Sequence, residues 1–271
     1  DDNEVHNLRL MMNEIFGEEN FVAQIVWQRK RGKDNSAKFL SRNHEYLLVF
    51  ARSIDDLNFN RLELDETTLK AYKNPDNDPR GAYRLLGVWA RGTQGGSKYE
   101  FKSKTGQVFS ERLWLMNKES MTRLDEEDKL VYSPSSDKIY RKLYVSENSG
   151  NIPETIWSDA SNAANAADEI KKIFDTVKPI PYIKRMLRLT TDDNDIILDF
   201  FSGSGTTAHT VAELNAEDGG NRRWICVQLP ELTDEKSEAY EAGYRTIADI
   251  ARERIRRAGA KIRVDQADKL A

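Results

Sequence analysis

The stretch that decides the fold runs from Leu198 to Thr207 and reads LDFFSGSGTT. Before it, residues 195–200 form a nearly continuous apolar segment, which is typical of a buried parallel strand. After it, residues 206–215 predict a helix. A glycine-rich turn between a parallel strand and a helix lies at the edge of an open α/β sheet where ligands bind. The sequence therefore predicts an α/β fold with a ligand site around residues 199–206.

Three interpretations of this turn compete. The first is a structural turn without a ligand. The second is a dinucleotide site, because residues 203–208 (GSGTTA) satisfy the weak pattern G-x-G-x-x-G/A. The third is a site for S-adenosylmethionine, since glycines allow close backbone approach and a helix N-terminus favours a carboxylate. A phosphate-binding P-loop is excluded, because no G-K-[ST] follows the glycines.

Asp199 separates the second interpretation from the third. A carboxylate directly before the glycines would repel a pyrophosphate, whereas it would attract the ammonium and sulfonium of S-adenosylmethionine. The next predicted strand, residues 224–229, is followed by Glu231, which can accept hydrogen bonds from both hydroxyls of a ribose. NAD would also use such an acid, so Glu231 does not discriminate. Asp199 therefore favours S-adenosylmethionine and opposes an NAD-dependent oxidoreductase.

The pattern of apolar residues and turn signals changes twice along the chain. Residues 5–16 predict a helix closed by Gly17, and residues 21–27 and 45–51 predict strands on either side of a basic loop, 28–43. From about 58 to 155, short apolar runs and frequent turn signals predict a β-rich insertion, with strands at 98–102 and 138–145 and a short helix within 115–124. Beyond it, helices are expected at 162–174, 178–189 and 235–258. The predicted domains are 1–57, 58–155 and 156–271.

Composition limits the class of protein. The chain has 271 residues and a net charge of −4, with one cysteine, Cys226, so an internal disulfide and a cysteine-based zinc site are excluded. No apolar run reaches the roughly eighteen residues of a membrane span. Basic residues nevertheless concentrate in 29–42 and 80–104, which is compatible with DNA binding. The alternative is that both blocks are solvated loops.

The stretch 195–231 resembles the glycine motif and the following acidic motif of the β-class amino-methyltransferases of DNA. Residues 174–179 (FDTVKP) match the F-x-x-x-K-P element of that family, and 153–231 are similar to the modification subunits of type III restriction systems in particular. This resemblance implies an incomplete Rossmann-like, S-adenosylmethionine-dependent methyltransferase fold in which residues 58–155 are an inserted target-recognition module. The implied activity is methylation of the N6 amine of adenine.

The resemblance also implies the site residues. Residues 43–50 (NHEYLLVF) resemble the segment that helps form the pocket for a flipped base, which assigns His44 and Glu45 to that pocket. The expected cofactor-binding residues are Phe174, Lys178, Pro179, Asp199, Phe200, Gly203, Ser204, Gly205, Thr206 and Glu231. The expected DNA-binding residues are Arg29, Lys30, Arg31, Lys33, Arg84, Arg91, Lys98 and Lys102. For the neighbouring Trp89 and Tyr99, core packing is an equal alternative.

The family's catalytic D/N-P-P-Y/F motif is absent from the chain. The only Asp-Pro pair, Asp78-Pro79, is followed by Arg80 and Gly81. Because that motif comes first in the β-class order, we expect it upstream of Asp1, so the chain is interpreted as a fragment that is inactive alone. Methylation of cytosine N4, or a non-catalytic regulator of DNA or cofactor binding, stays open.

The partners expected from the resemblance are double-stranded DNA and the upstream part of the same enzyme. A homodimer and a restriction subunit are further partners that it allows. No membrane partner is expected, and the expected location is the cytoplasm.

Overall fold

The computed structural model describes residues 2–30, 32, 36–133, 137–158 and 177–270. Its helices, in chain order, are α1 (Val5–Phe16), α2 (Glu66–Leu69), α3 (Lys118–Glu126), α4 (Ile180–Thr190), α5 (Thr206–Asp218), α6 (Glu238–Glu241) and α7 (Ile247–Leu270). The strands are β1 (Phe21–Gln28), β2 (His44–Phe50), β3 (Tyr83–Gly87), β4 (Ser97–Lys102), β5 (Val108–Trp114), β6 (Leu130–Tyr132), β7 (Ile139–Tyr144), β8 (Ile156–Trp157), β9 (Ile196–Asp199) and β10 (Arg223–Cys226).

The chain divides into two compact units. Residues 1–62 and 152–271 form the first, which we call the α/β unit because parallel strands and helices alternate in its second half. Residues 63–151 form the second, which we call the β-rich unit. The functions expected for these regions, a methyltransferase core and a target-recognition module, stay predictions.

The α/β unit contains two small sheets. In the first, β1 pairs antiparallel with β2 and parallel with β8. Trp27 of β1 is buried and stacks on Tyr182 of α4 with ring centroids 4.2 Å apart, and Trp157 of β8 packs against the same tyrosine. Helix α4 is thus fixed to this sheet by aromatic packing.

The second sheet pairs β9 with β10 in parallel, with Asp199 opposite Cys226. On one side, Ile197 of β9 packs against a cluster of Leu187 from α4 and Val211 and Leu214 from α5. On the other, Ile196 and Leu198 are 54% and 59% exposed. The prediction of a buried strand is therefore wrong for this face, because only one side of β9 is covered within the described residues.

The β-rich unit closes its own core. Its sheets have the orders β3-β7-β6 and β4-β5, with all strands antiparallel. The core residues from both sheets and from α3 are almost fully buried: Val88, Phe101, Phe109, Trp114, Met121 and Ile139. In the same unit, the buried carboxylate of Asp78 accepts hydrogen bonds from Arg80, Lys142 and Tyr144.

Most predicted elements are confirmed, including the helix 5–16 and its end at Gly17, where φ is +87°. The prediction of a single helix over 235–258 is wrong. Gly243 adopts φ +93° after α6, and α7 begins afresh at Ile247, where Thr246 and Asp249 cap each other's backbone amides. The predicted helix at 162–174 lies outside the described residues. No described helix is long and apolar enough to cross a membrane.

Candidate functional site

The glycine turn lies between the carboxyl end of β9 and the first turn of α5. Gly203 and Gly205 have φ values of +51° and +76°, a backbone region that favours glycine. A Cβ atom on Gly205 would lie 3.3 Å from the Cβ and the carbonyl oxygen of Ala251 in α7. The absence of a side chain at Gly205 therefore allows α7 to pack closely against the turn, a role that the sequence did not indicate.

Asp199 stabilises the turn as well as lining it. One carboxylate oxygen accepts from the Thr207 hydroxyl at 2.6 Å, and the other accepts from the backbone N–H of Phe201 at 3.2 Å. A carboxylate oxygen can accept more than one hydrogen bond, so both oxygens retain capacity for a cationic ligand. The adjacent Phe200 and Phe201 are exposed. The turn therefore combines an acid, a helix N-terminus and accessible aromatic surface.

Gln228 and Arg254 join this turn, although sequence reasoning missed both. The Gly203 N–H donates to the side-chain oxygen of Gln228 at 2.8 Å, which ties the turn to the segment after β10. The guanidinium of Arg254 in α7 donates to the hydroxyls of Ser204 and Thr206. Nothing in the local sequence around either residue signals these contacts, since they depend on tertiary packing.

The remaining cofactor candidates are placed as follows. Glu231 is exposed, and its backbone carbonyl accepts from the N–H of Ile247, so it lies where α7 begins. Pro179 immediately precedes α4, and its carbonyl accepts from the N–H of Tyr182. Phe174 lies outside the described residues.

Three residues predicted for three different roles form one ionic cluster. The Lys178 ammonium lies 2.5 Å from one oxygen of Glu45, and the Arg29 guanidinium lies 3.4 Å from the other. Lys178 also lies above the ring of Trp27, at 5.5 Å from its centroid. The expected base-pocket acid, Glu45, is thus held between a cofactor candidate and a DNA-binding candidate.

His44 lies beside this cluster on β2. Its Nε2 atom is 2.9 Å from the hydroxyl of Tyr46, and the two rings meet edge to face. A cleft of about 650 Å³ opens next to His44 and is lined by Asp2, His44 and residues 38–43. Lys30 is exposed at the start of the basic loop, while Arg31 and Lys33 lie outside the described residues.

The predicted DNA-binding residues of the β-rich unit differ in how exposed their side chains are and in what they contact. Lys98 and Lys102 project from the exposed face of β4, and Lys98 pairs with Glu111 across the hairpin at 3.0 Å. Arg91 is exposed and lies above the ring of Trp89. Arg84 is half-buried over Tyr72, which limits its reach. Trp89 and Tyr99 pack against the core, as the structural alternative for them required.

Comparison with known proteins decides the family. Residues 1–240 match the sequence profile of the N6/N4 DNA methylase family. The chain belongs to this DNA methylase family. It is 36% identical to the type III restriction-modification enzyme StyLTI Mod subunit of Salmonella typhimurium, over 98% of this chain but 42% of that protein. It is 31% identical to the type II methyltransferase M.KpnI of Klebsiella pneumoniae, over 94% of this chain and 67% of that protein.

Among solved structures, this chain aligns with a putative DNA modification methylase from Thermus thermophilus complexed with S-adenosyl-L-methionine. The alignment covers 65% of this chain and 69% of the Thermus chain. The TM-score of this alignment is 0.24 and the sequence identity is 15%. Family membership confirms the resemblance drawn from the sequence. With the mixed α/β architecture, it also confirms the fold class, an incomplete Rossmann-like methyltransferase fold with a β-rich insertion. The chain spans less than half the length of the StyLTI relative.

Proposed function

We propose that this chain binds S-adenosylmethionine and double-stranded DNA as part of a site-specific methyltransferase that acts on the N6 amine of adenine. The observation that carries the proposal is Asp199 at the end of β9, directly opposite the first turn of α5. Membership of the DNA methylase family supports it, and similarity to a type III Mod subunit favours adenine and a restriction-modification system.

The residues of the turn fit the charges of this cofactor. S-adenosylmethionine carries a carboxylate, which the N-terminus of α5 attracts, and two cationic centres, which the Asp199 carboxylate attracts. Glu231 is assigned to the ribose hydroxyls, and Phe200 supplies exposed apolar surface beside the turn. Lys178 and Pro179, at the start of α4, are assigned to the same pocket. When bound, the cofactor supplies the methyl group.

The base has to leave the DNA stack before its amine can be methylated, because the amine is otherwise paired. We assign the surroundings of His44 and Glu45 to the extruded base, since a cleft of about 650 Å³ opens beside His44. The single negative charge of Glu45 lies between the two positive charges of Lys178 and Arg29, and we assign to Glu45 the further role of orienting these two side chains. The acceptors that would hold the amine are assigned to a part of the enzyme outside this chain, so the chain alone is expected to be inactive.

A further part of the same polypeptide is the partner that the uncovered sheet face favours. Ile196, Leu198 and Ile225 leave an apolar surface of a kind that proteins usually cover. The StyLTI Mod subunit is more than twice as long as this chain, which supports a covering segment of the same polypeptide. A homodimer, a restriction subunit and a cytoplasmic location are further proposals, which rest on the relatives.

Titration calorimetry of the whole chain with S-adenosylmethionine, with NADH as the comparison ligand, tests the cofactor assignment. We expect binding of the former alone, lost in Asp199→Ala because the cationic centres lose their counter-charge. Asp195→Ala is the matched control, since it removes an exposed aspartate next to the opposite end of β9. A cooperatively melting chain without affinity for S-adenosylmethionine, or equal loss in both variants, would refute the assignment.

The salt dependence of DNA binding tests the surface of the β-rich unit. Replacing Lys98 and Lys102 by Ala should weaken binding and reduce the salt slope by about two, roughly one for each lost phosphate contact. The matched control replaces Lys70 and Lys73, which are exposed lysines of the same unit. An unchanged slope in the first variant would show that the β4 lysines are only solvated.

A further inference from the structure

A buried arginine of α7 contacts the glycine turn from inside the protein. Arg254 is only 2% exposed. Its Nη1 atom donates to the Ser204 hydroxyl at 3.0 Å and to the Thr206 hydroxyl at 2.9 Å. These two residues flank Gly205, and Thr206 is the first residue of α5. Arg254 therefore fixes both sides of the tightest point of the turn.

The same guanidinium belongs to a longer chain of polar contacts. Its Nε–H donates to the Nδ1 atom of His209 at 3.2 Å, so that nitrogen has to be the acceptor. The ring proton then lies on Nε2, which is 3.1 Å from Glu213. Lys184 of α4 donates to the other oxygen of Glu213 at 2.8 Å. Contacts to His209 and Lys184 lower the pKa of Glu213 to about 2, so this acid stays charged.

Helix α7 also supports the turn through its shape. Ala251, one turn before Arg254, is the residue that a Cβ on Gly205 would meet. The two residues lie on the same buried face of α7, together with Ile250 and Ala258. The turn is therefore held against α7 by apolar contact at Gly205 and by hydrogen bonds on both sides of it.

The positive charge of Arg254 lies in an unusual position, beside the N-terminus of α5. The N-terminus of a helix is the positive end of its dipole, so a cation beside it is unfavourable, whereas an anion is favoured. A guanidinium beside Thr206 adds its positive potential to that of α5, and a carboxylate reaching the turn would be attracted by both. Burial strengthens this effect, because water screens the charge less.

We infer that Arg254 is a positioning residue for the amino-acid end of the bound ligand. It acts through the Ser204 and Thr206 hydroxyls, which fix the turn, and through its charge beside α5. It does not touch the ligand itself. The inference rests on the proposed function, since it takes S-adenosylmethionine as the ligand. Its consequence is selective: Arg254 matters for the carboxylate-bearing end of the ligand and not for the nucleoside.

The test compares two ligands that share the adenosine and the sulfur. S-adenosylmethionine carries the amino-acid end, whereas 5′-methylthioadenosine lacks it. In the full chain, Arg254→Met should lower the affinity for S-adenosylmethionine at least tenfold and leave that for 5′-methylthioadenosine within twofold of the wild type. Arg254→Lys, which keeps the charge, should restore part of the loss. Arg252→Met is the matched control, because Arg252 lies on the same helix with a 73% exposed side chain.

Equal weakening of both ligands by Arg254→Met would overturn the inference, because a merely structural role does not distinguish them. Unchanged affinity for S-adenosylmethionine would do so too. If Arg254→Met does not fold, Arg254→Gln serves instead. It removes the charge but keeps a hydrogen-bond donor, and it should weaken S-adenosylmethionine selectively; an equal effect on both ligands contradicts the inference. A folded wild-type chain that binds neither ligand would overturn the proposed function, and this inference with it.

Discussion

Two two-stranded sheets of this chain bury their apolar side chains very differently. In β4–β5 of the β-rich unit, Tyr99 and Phe101 point into the core while Lys98 and Lys102 face outward. In β9–β10 of the α/β unit, apolar residues occupy both faces, and only the face that carries Ile197 is covered by helices.

The difference follows from the sequence of the strands. An alternating strand such as Ser97–Lys102 needs a core on one side only, so a single unit satisfies it. A continuously apolar strand such as Ile196–Leu198 requires cover on both sides, as in a three-layer α/β sheet. The β-rich unit is therefore self-contained, whereas the glycine turn sits on a sheet whose second face is open within the described residues.

Two phenylalanines give the largest expected contrast. Phe101 is 1% exposed and Phe201 is 81% exposed. Phe101→Ala should lower the free energy of unfolding by about 3–5 kcal/mol, because it leaves a cavity. Phe201→Ala should change it by less than about 0.5 kcal/mol. Urea unfolding of both variants measures the difference. Similar losses would mean that the turn is covered and that the two sheets do not differ.

Two glycines with nearly the same φ separate backbone strain from packing. Gly205 and Gly219 have φ values of +76° and +75°, but nothing lies within 4 Å of a Cβ built on Gly219. Gly219→Ala should cost about 1 kcal/mol from the backbone alone. Gly205→Ala should cost about 2 kcal/mol or more, because α7 has to move.

Calorimetric binding supplies the second measurement for this pair. Gly205→Ala should also weaken S-adenosylmethionine, whereas Gly219→Ala should not, since it lies at the far end of α5. Equal effects of the two substitutions on stability and binding would show that the contact with Ala251 does not shape the turn.

The pH dependence of stability tests the β-rich unit through its buried carboxylate, Asp78. Hydrogen bonds from Arg80, and then from Lys142 and Tyr144, hold the pKa of Asp78 well below its usual range. Because the pKa is lower in the folded state, the stabilisation is present above the unfolded pKa of about 4 and is lost as pH falls below it. Asp78→Asn should flatten this loss in thermal melts between neutral and acidic pH. Glu126→Gln, an exposed carboxylate on α3, should leave it unchanged.

The same contrast explains what the sequence could predict. The glycine turn was found from LDFFSGSGTT alone, because a strand, glycines and a helix follow one another within ten residues. The positions of α1, β1 and β2 followed from apolar periodicity. Such features depend on neighbours in the chain, which a sequence pattern records directly.

The features that were missed all depend on distant residues. Arg254 reads as one of several surface arginines of an amphipathic helix, yet its contacts are with residues 48 and 50 positions earlier. Gln228 contacts Gly203 across 25 residues. The break of the C-terminal helix at Gly243 was missed because the apolar positions around it still fit a helical period.

The smallest expected effect uses the cysteine opposite Asp199 as a probe of the open sheet. Burial, and then the charge of Asp199, raises the pKa of the Cys226 thiol, so little reactive thiolate is present at pH 8. Asp199→Asn removes the repulsion and should speed alkylation by iodoacetamide, because a lower pKa of the thiol leaves more of it as the reactive thiolate. Asp195→Asn, which also removes one negative charge near β9, should not speed the alkylation.

Because Cys226 is the only cysteine, mass spectrometry measures the alkylation rate without ambiguity. Equal rates in all three proteins would mean that the Asp199 carboxylate does not act across to β10, and its assignment to the cationic centres of the ligand would lose its electrostatic support.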